Sequence, residues 1–78
     1  MRLSDLKKGE KAEIIGLYLS PDLKDRLNRV GITKGALIGY LRPAPLGDPK
    51  IFIIRGIYYA LRREVTDRII VKKAGKEE

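Results

Sequence analysis

The hexapeptide APLGDP, residues 44–49, lies between two apolar stretches, ALIGYLR and KIFIIRG. Pro43 and Pro45 have no N–H to give to a sheet ladder, so strand pairing must stop there. Gly47 tolerates unusual backbone angles, Asp48 can hydrogen-bond its own backbone, and Pro49 steers Asp48 away from helical angles. The two apolar stretches are therefore separate strands joined by a stiff turn. That turn carries a leucine, Leu46, at its centre. Leu46 either folds back as a lid over the end of the core or stands outward as an apolar contact. A stiff loop loses little entropy on binding, which suits the second role.

The rest of the chain alternates short strands with turn signals. LSDLKKGEK is an opening turn in which Ser4 can cap a helical turn, Leu3 and Leu6 tuck inward and Gly9 reverses the chain. AEIIGLYLS follows as a strand with Ile15, Leu17 and Leu19 on one face, and with Gly16 inside it as a bulge or bend marker. SPDLKDRLNRVG is a helix: Ser20 caps it, Pro21 fills its first position, Asp22 suits its dipole and Gly31 ends it. Leu23, Leu27 and Val30 form one apolar stripe, read as core packing. Asp22/Arg26 and Asp25/Arg29 are spaced to pair along its surface. After a turn at Lys34-Gly35 comes a strand with its own internal glycine, Gly39. Beyond the hexapeptide, KIFIIRGIYYALRR makes a tight hairpin about Arg55-Gly56. REVTD is a short helical turn and RIIVKK a last strand.

Five short strands are too few for a sandwich. Mid-strand glycines let a small sheet bend hard. The expected architecture is mainly β: a small five-stranded SH3-like barrel with one α-helix packed against it and short helical turns. A chain of 78 residues is a single domain, with its core over residues 3–72 and a polar tail at 73–78. A domain this small buries only roughly 60% of its unfolded surface, and the 44% hydrophobic content supplies the dense core that this demands. No apolar run reaches the roughly 20 residues of a membrane helix, and the first residues lack the apolar core of a secretory leader. The expected location is cytoplasmic, without membrane insertion.

Taken together, LSDLKKGEKAEIIG, the capped helix ending in VGITKG, the hexapeptide APLGDP and RGIYYALRRE followed by RIIV resemble the ferrous iron transport protein A (FeoA) family, from Leu3 to about Val71. The resemblance implies a cytoplasmic SH3-like module that assists FeoB, a membrane protein with a cytosolic GTPase part and a membrane part that carries Fe²⁺. It also implies kinship with the C-terminal domain of some iron-dependent repressors. This chain has no DNA-reading helix-turn-helix and so is not itself a repressor. The family's association with transition-metal binding transfers only weakly.

The residues narrow the chemistry. There is no cysteine or histidine, so thiolate and imidazole ligands and the usual nucleophile pairs are excluded. No P-loop is present. The chain is read as a non-enzyme without a cofactor. Its ten acids are scattered, and no spacing suggests a metal site; Asp48 and Glu64 are the least unsuitable candidates. A net charge of +7 favours an anionic partner. One alternative is a small basic barrel that binds single-stranded nucleic acid, using Tyr40, Tyr58 and Tyr59 near Arg42, Arg55, Arg62 and Arg63. Tyr58 and Tyr59 must face opposite ways along a strand, which shrinks that platform. The favoured reading is a protein–protein adaptor. Pro45 and Leu46 supply its apolar contact, and Arg42, Arg55 and Arg62 steer it toward an acidic face. Arg62 and Arg63 also have a local alternative, pairing with Glu64 and Asp67. A second copy of the chain is a further occupant for Leu46 or for an exposed barrel edge.

Overall fold

The computed structural model describes residues 1–74. A 3-10 turn at Leu3–Asp5 precedes strand β1 (Lys11–Leu17), helix α1 (Pro21–Arg29), strands β2 (Leu37–Pro43), β3 (Lys50–Ile54) and β4 (Ile57–Leu61), a short helix α2 (Arg63–Thr66) and strand β5 (Ile69–Lys73). The strands form one antiparallel sheet in the order β4-β3-β2-β1-β5.

Two interruptions bend this sheet. The register slips between Ile14 and Gly16 where β1 meets β5, and between Tyr40 and Arg42 where β2 meets β3. An extra residue on one strand bends it and increases its twist. Both ends of the sheet then face one interior. Ile14, Ile69 and Val71 from β1 and β5 share a core with Ile38, Tyr40, Phe52 and Ile54 from β2 and β3, and Leu3, Leu6 and Ile32 join from the connecting segments. Tyr40 and Phe52 meet at a ring-centroid distance of 5.3 Å. This is the expected five-stranded barrel. Among the described residues no ladder joins β4 to β5, so the two outer strands are not paired with each other.

The bulges change which side chains are inside. In β1 the buried residues are Ala12, Ile14 and Leu17, whereas Ile15 is exposed and Leu19 lies past the strand, half-buried. Of the expected face, Leu17 is buried and Leu19 packs on the core, whereas Ile15 turns outward because the surplus residue shifts the alternation by one. In β2 the slip falls at Leu41 and not at Gly39. Gly39 serves a close approach: a Cβ there would stand 3.3 Å from Cγ2 of Ile53.

Helix α1 begins as its sequence implies. The Ser20 hydroxyl accepts from the Leu23 N–H at 3.3 Å, and Pro21 occupies the first turn. Asp25 pairs with Arg29 at 2.6 Å, whereas Asp22 and Arg26 form no ion pair among the described residues. Its apolar stripe is shallower than expected. No residue of α1 is buried; Leu27 packs partly on the core, Leu23 is half-buried and Val30 is exposed. The helix rests on the rim, and the deep anchor is Ile32 just beyond it. The opening turn is capped by Asp5, whose carboxylate accepts from the Arg2 N–H at 3.1 Å, and not by Ser4, which sits inside the turn.

Both ends of the described chain pair with the sheet. The Val71 N–H donates to the Met1 carbonyl at 2.8 Å, the Met1 amine donates back to the Val71 carbonyl at 3.2 Å, and Arg2 bridges to Ile70. Lys73 belongs to β5, and the Ala74 N–H donates to the Lys11 carbonyl. The remainder of the expected tail, 75–78, lies outside the described residues.

The core and the helix should separate in mutational cost. Phe52→Ala is expected to lose about 3–5 kcal/mol in urea unfolding, and Leu27→Ala well under half of that. The Glu10 carboxyl is held below the usual glutamate range, first by its bond to the Lys73 ammonium and then by the Lys7 N–H. A lowered folded-state pKa stabilises the fold above the unfolded pKa, and that stability is lost as pH falls through the folded value. Chemical denaturation should therefore show stability falling from about pH 4 downward, with a shallower fall in Glu10→Gln.

Candidate protein-interaction site

The APLGDP loop is built on its own backbone. The Ala44 N–H donates to the Pro49 carbonyl at 2.9 Å, and the Gly47 N–H donates to the Ala44 carbonyl at 2.8 Å. Gly47 takes φ = 92°, a left-handed angle that a side chain would strain. Asp48 reaches across to α2. One carboxylate oxygen accepts from the Arg63 N–H at 3.0 Å, and the other lies 3.9 Å from the Arg62 guanidinium. It therefore caps the start of a four-residue helix from fifteen positions upstream, in place of the bond to its own backbone that the turn chemistry suggests. The far side of the loop is pinned by Lys50, whose ammonium donates to the Ser4 carbonyl at 3.0 Å and sits 5.1 Å from the centre of the Tyr40 ring.

Leu46 is 96% exposed at the tip of this loop. That value decides between lid and outward contact: Leu46 covers nothing of its own chain. Pro45 beside it is also exposed. Next to the loop, Arg2, Ser4, Asp5, Gly47, Asp48 and Lys50, with Arg63, line a hollow of about 410 Å³.

The predicted steering arginines do not form one group. Arg42 is exposed in β2, opposite Ile51 and just before the loop. Arg62 is exposed at the end of β4 beside Asp48. Arg55 lies in the β3–β4 turn, at the other end of β3. At about 3.3 Å per residue, five residues of strand place it roughly 15 Å from the base of the loop. Pro45, Leu46, Arg42 and Arg62 thus share one end of the barrel, and Arg55 marks the opposite end.

Arg63 pairs with Asp67 at 3.7 Å, as local pairing predicts, whereas Arg62 turns to Asp48 and Glu64 forms no ion pair among the described residues. Such exposed pairs orient side chains more than they stabilise the fold. The metal candidates Asp48 and Glu64 do not converge with a third ligand: among the described residues no group of three or more Asp or Glu could hold an ion. The aromatic platform is also dispersed. Tyr40 is buried, Tyr59 is half-buried with its hydroxyl donating to the Val30 carbonyl, and of the three only Tyr58 is exposed.

The architecture has known counterparts. A family model described as the FeoA domain matches residues 1–73. The solution structure of FeoA from Chlorobium tepidum is similar, with a TM-score of 0.91 and 36% identity over 100% of this chain and 74% of that one. Iron(II) transport protein A from Clostridium thermocellum has a TM-score of 0.85 and 36% identity over 94% of this chain and 45% of that one. A zinc complex of FeoA from Stenotrophomonas maltophilia, described as a prokaryotic SH3 domain protein, has a TM-score of 0.78 and 25% identity over 92% and 89%. No curated protein matches the chain.

If Asp48 braces the loop, Asp48→Ala should cost about 1 kcal/mol and loosen two segments together. Amide hydrogen exchange at Ala44, Gly47 and Arg63 should quicken at least tenfold while that of Ile14 and Phe52 changes little. Unchanged exchange at all three would show that the loop holds its shape without the carboxylate.

Proposed function

The chain belongs to the FeoA family of ferrous iron transport accessory factors, and on that premise we propose that it works by direct contact with the cytosolic GTPase part of the membrane iron transporter FeoB. The observation that carries this reading is Leu46, 96% exposed on a loop held by its own backbone and by Asp48. A single exposed leucine is ordinary on a protein surface; what sets this one apart is that the turn carrying it is already fixed by the Ala44, Gly47 and Asp48 hydrogen bonds. A leucine fully buried in a partner contributes about 1.5–3 kcal/mol. Because the loop is already braced, little ordering entropy is lost on docking. Arg42 and Arg62 flank that contact as a polar rim and favour an acidic surface.

Similar proteins of known structure are tied to ferrous iron transport. One is an iron(II) transport protein, and another was put forward as an activating factor for ferrous iron transport. Among the described residues no helix is long and apolar enough to cross a membrane, and the proposed contact is with the part of the transporter outside the bilayer.

Contact becomes regulation only through a difference in affinity. An adaptor that binds two nucleotide states equally leaves their balance unchanged. One that binds a single state tenfold tighter shifts the balance by about 1.4 kcal/mol. The expected action is therefore preferential binding to one state of the GTPase cycle.

The test is binding of the full chain to the isolated cytosolic part of FeoB, loaded with GDP or with a GTP analogue. Leu46→Glu should weaken binding about tenfold or more while the melting temperature moves by only about 2 °C. Unchanged affinity would overturn the Leu46 contact. Equal affinity for the two nucleotide states would overturn the regulatory mechanism.

A further inference from the structure

β4 is an outer strand of the sheet. Its turn from β3 has two residues, Arg55 and Gly56, with φ of 51° and 81°, and Ile54 and Ile57 close it. A two-residue turn of this kind is closed by a hydrogen-bonded pair, and along an antiparallel ladder bonded and non-bonded pairs alternate. Ile57, Tyr59 and Leu61 therefore bond to β3. The backbone N–H and C=O groups of Tyr58 and Ala60 point away from the sheet, and no other backbone group among the described residues bonds to them. The opposite outer strand, β5, is treated differently: Met1 and Arg2 lie along it.

Sheet edges left in this state normally carry a block, such as a lysine, a proline, an inward charge or a bulge. β4 has the sequence IYYAL and pairs with β3 without a slip. Ile57 and Tyr58 are 57% and 64% exposed. On the outer face Tyr58 lies opposite Ile53 and Ala60 opposite Ile51, so the edge continues into an apolar strip. One end of that strip carries Arg55 in the turn; beyond Leu61 lie Arg62 and Arg63, both exposed, which share their charge with Asp48 and Asp67. Arg55 forms no ion pair among the described residues.

We propose that the β4 edge is a strand-addition site for an extended, acidic-ended segment of a partner protein. Main-chain bonds to Tyr58 and Ala60 would hold it, alternate apolar side chains would lie along Tyr58, Ile53 and Ile51, and Asp or Glu at each end would meet Arg55 and the Arg62–Arg63 pair. Charge selects this occupant over a second copy. Two β4 strands paired antiparallel about Tyr59 would bring the Arg55 turn of each copy toward the Arg62–Arg63 end of the other, between chains of net charge +7. Like charges brought together across such a pair are destabilising. The site shares Arg62 with the rim of the Leu46 contact but does not use Leu46 itself.

The experiment uses the full chain and two synthetic peptides, EETVTVTVEE and KKTVTVTVKK. The acidic peptide should slow amide exchange at Tyr58 and Ala60 at least tenfold, and the lysine-ended peptide should bind at least tenfold more weakly. Ala60→Pro removes an outward N–H at an edge position that accepts proline, so it should abolish peptide binding and keep the fold; if the ring's fixed φ prevents folding, amide exchange in the unaltered chain decides. Leu46→Glu should leave peptide binding unchanged. Protection at other residues, equal binding of both peptides, or loss of binding in Leu46→Glu would overturn the proposal. So would a dimer in sedimentation with Tyr58 and Ala60 already protected in the absence of peptide.

Discussion

A single five-stranded sheet has to supply both walls of its own interior, and it does so only because it carries one surplus residue in β1 and another in β2. Each surplus residue turns the strand that bears it. Without those turns Phe52 and Val71 would lie far apart on one flat face, half in water. With them, both are almost wholly buried in the same cluster. The remainder of the molecule depends on this curvature: the opening turn, Ile32 and the start of α2 have a concave surface to close over, and the β2–β3 loop is carried out to a rim.

What could be read from the sequence follows how local the causes are. The cap at Ser20 and Pro21, the Arg55-Gly56 turn and the end of pairing at Pro43 each arise within a few residues, and each stands where its chemistry places it. Gly16 marked irregularity in β1, but its consequence, the reversal of Ile15 from core to surface, needs the pairing partner β5 to be known. The helix shows the same limit. Leu23, Leu27 and Val30 repeat at helical spacing, yet spacing cannot say how deep the receiving surface is, and here that surface is a rim.

The candidate site divides in the same way. Proline and glycine around Leu46 declare a stiff turn, but they are silent on whether its leucine points in or out; the 96% exposure settles that. Asp48 looked locally occupied, whereas its partner Arg63 lies fifteen positions away, and no pattern in the chain announces that bond. Arg55 shows the converse limit. It stands near Arg62 in sequence and has the right charge, but a strand separates it from the loop. Net charge tells which sign of partner to expect and nothing about which cations share a face.

Helix α1 stands apart from this economy of curvature. It is fastened by Leu27, by the Tyr59 hydroxyl on the Val30 carbonyl and by Ile32 after its end, while every other side chain along it is half-buried or exposed. Natural drift can therefore rewrite Lys24, Arg26 or Asn28 with little penalty, because the barrel does not consult them. The segment is the molecule's freest ground for acquiring lineage-specific surface character while the curved sheet beneath it stays as it is.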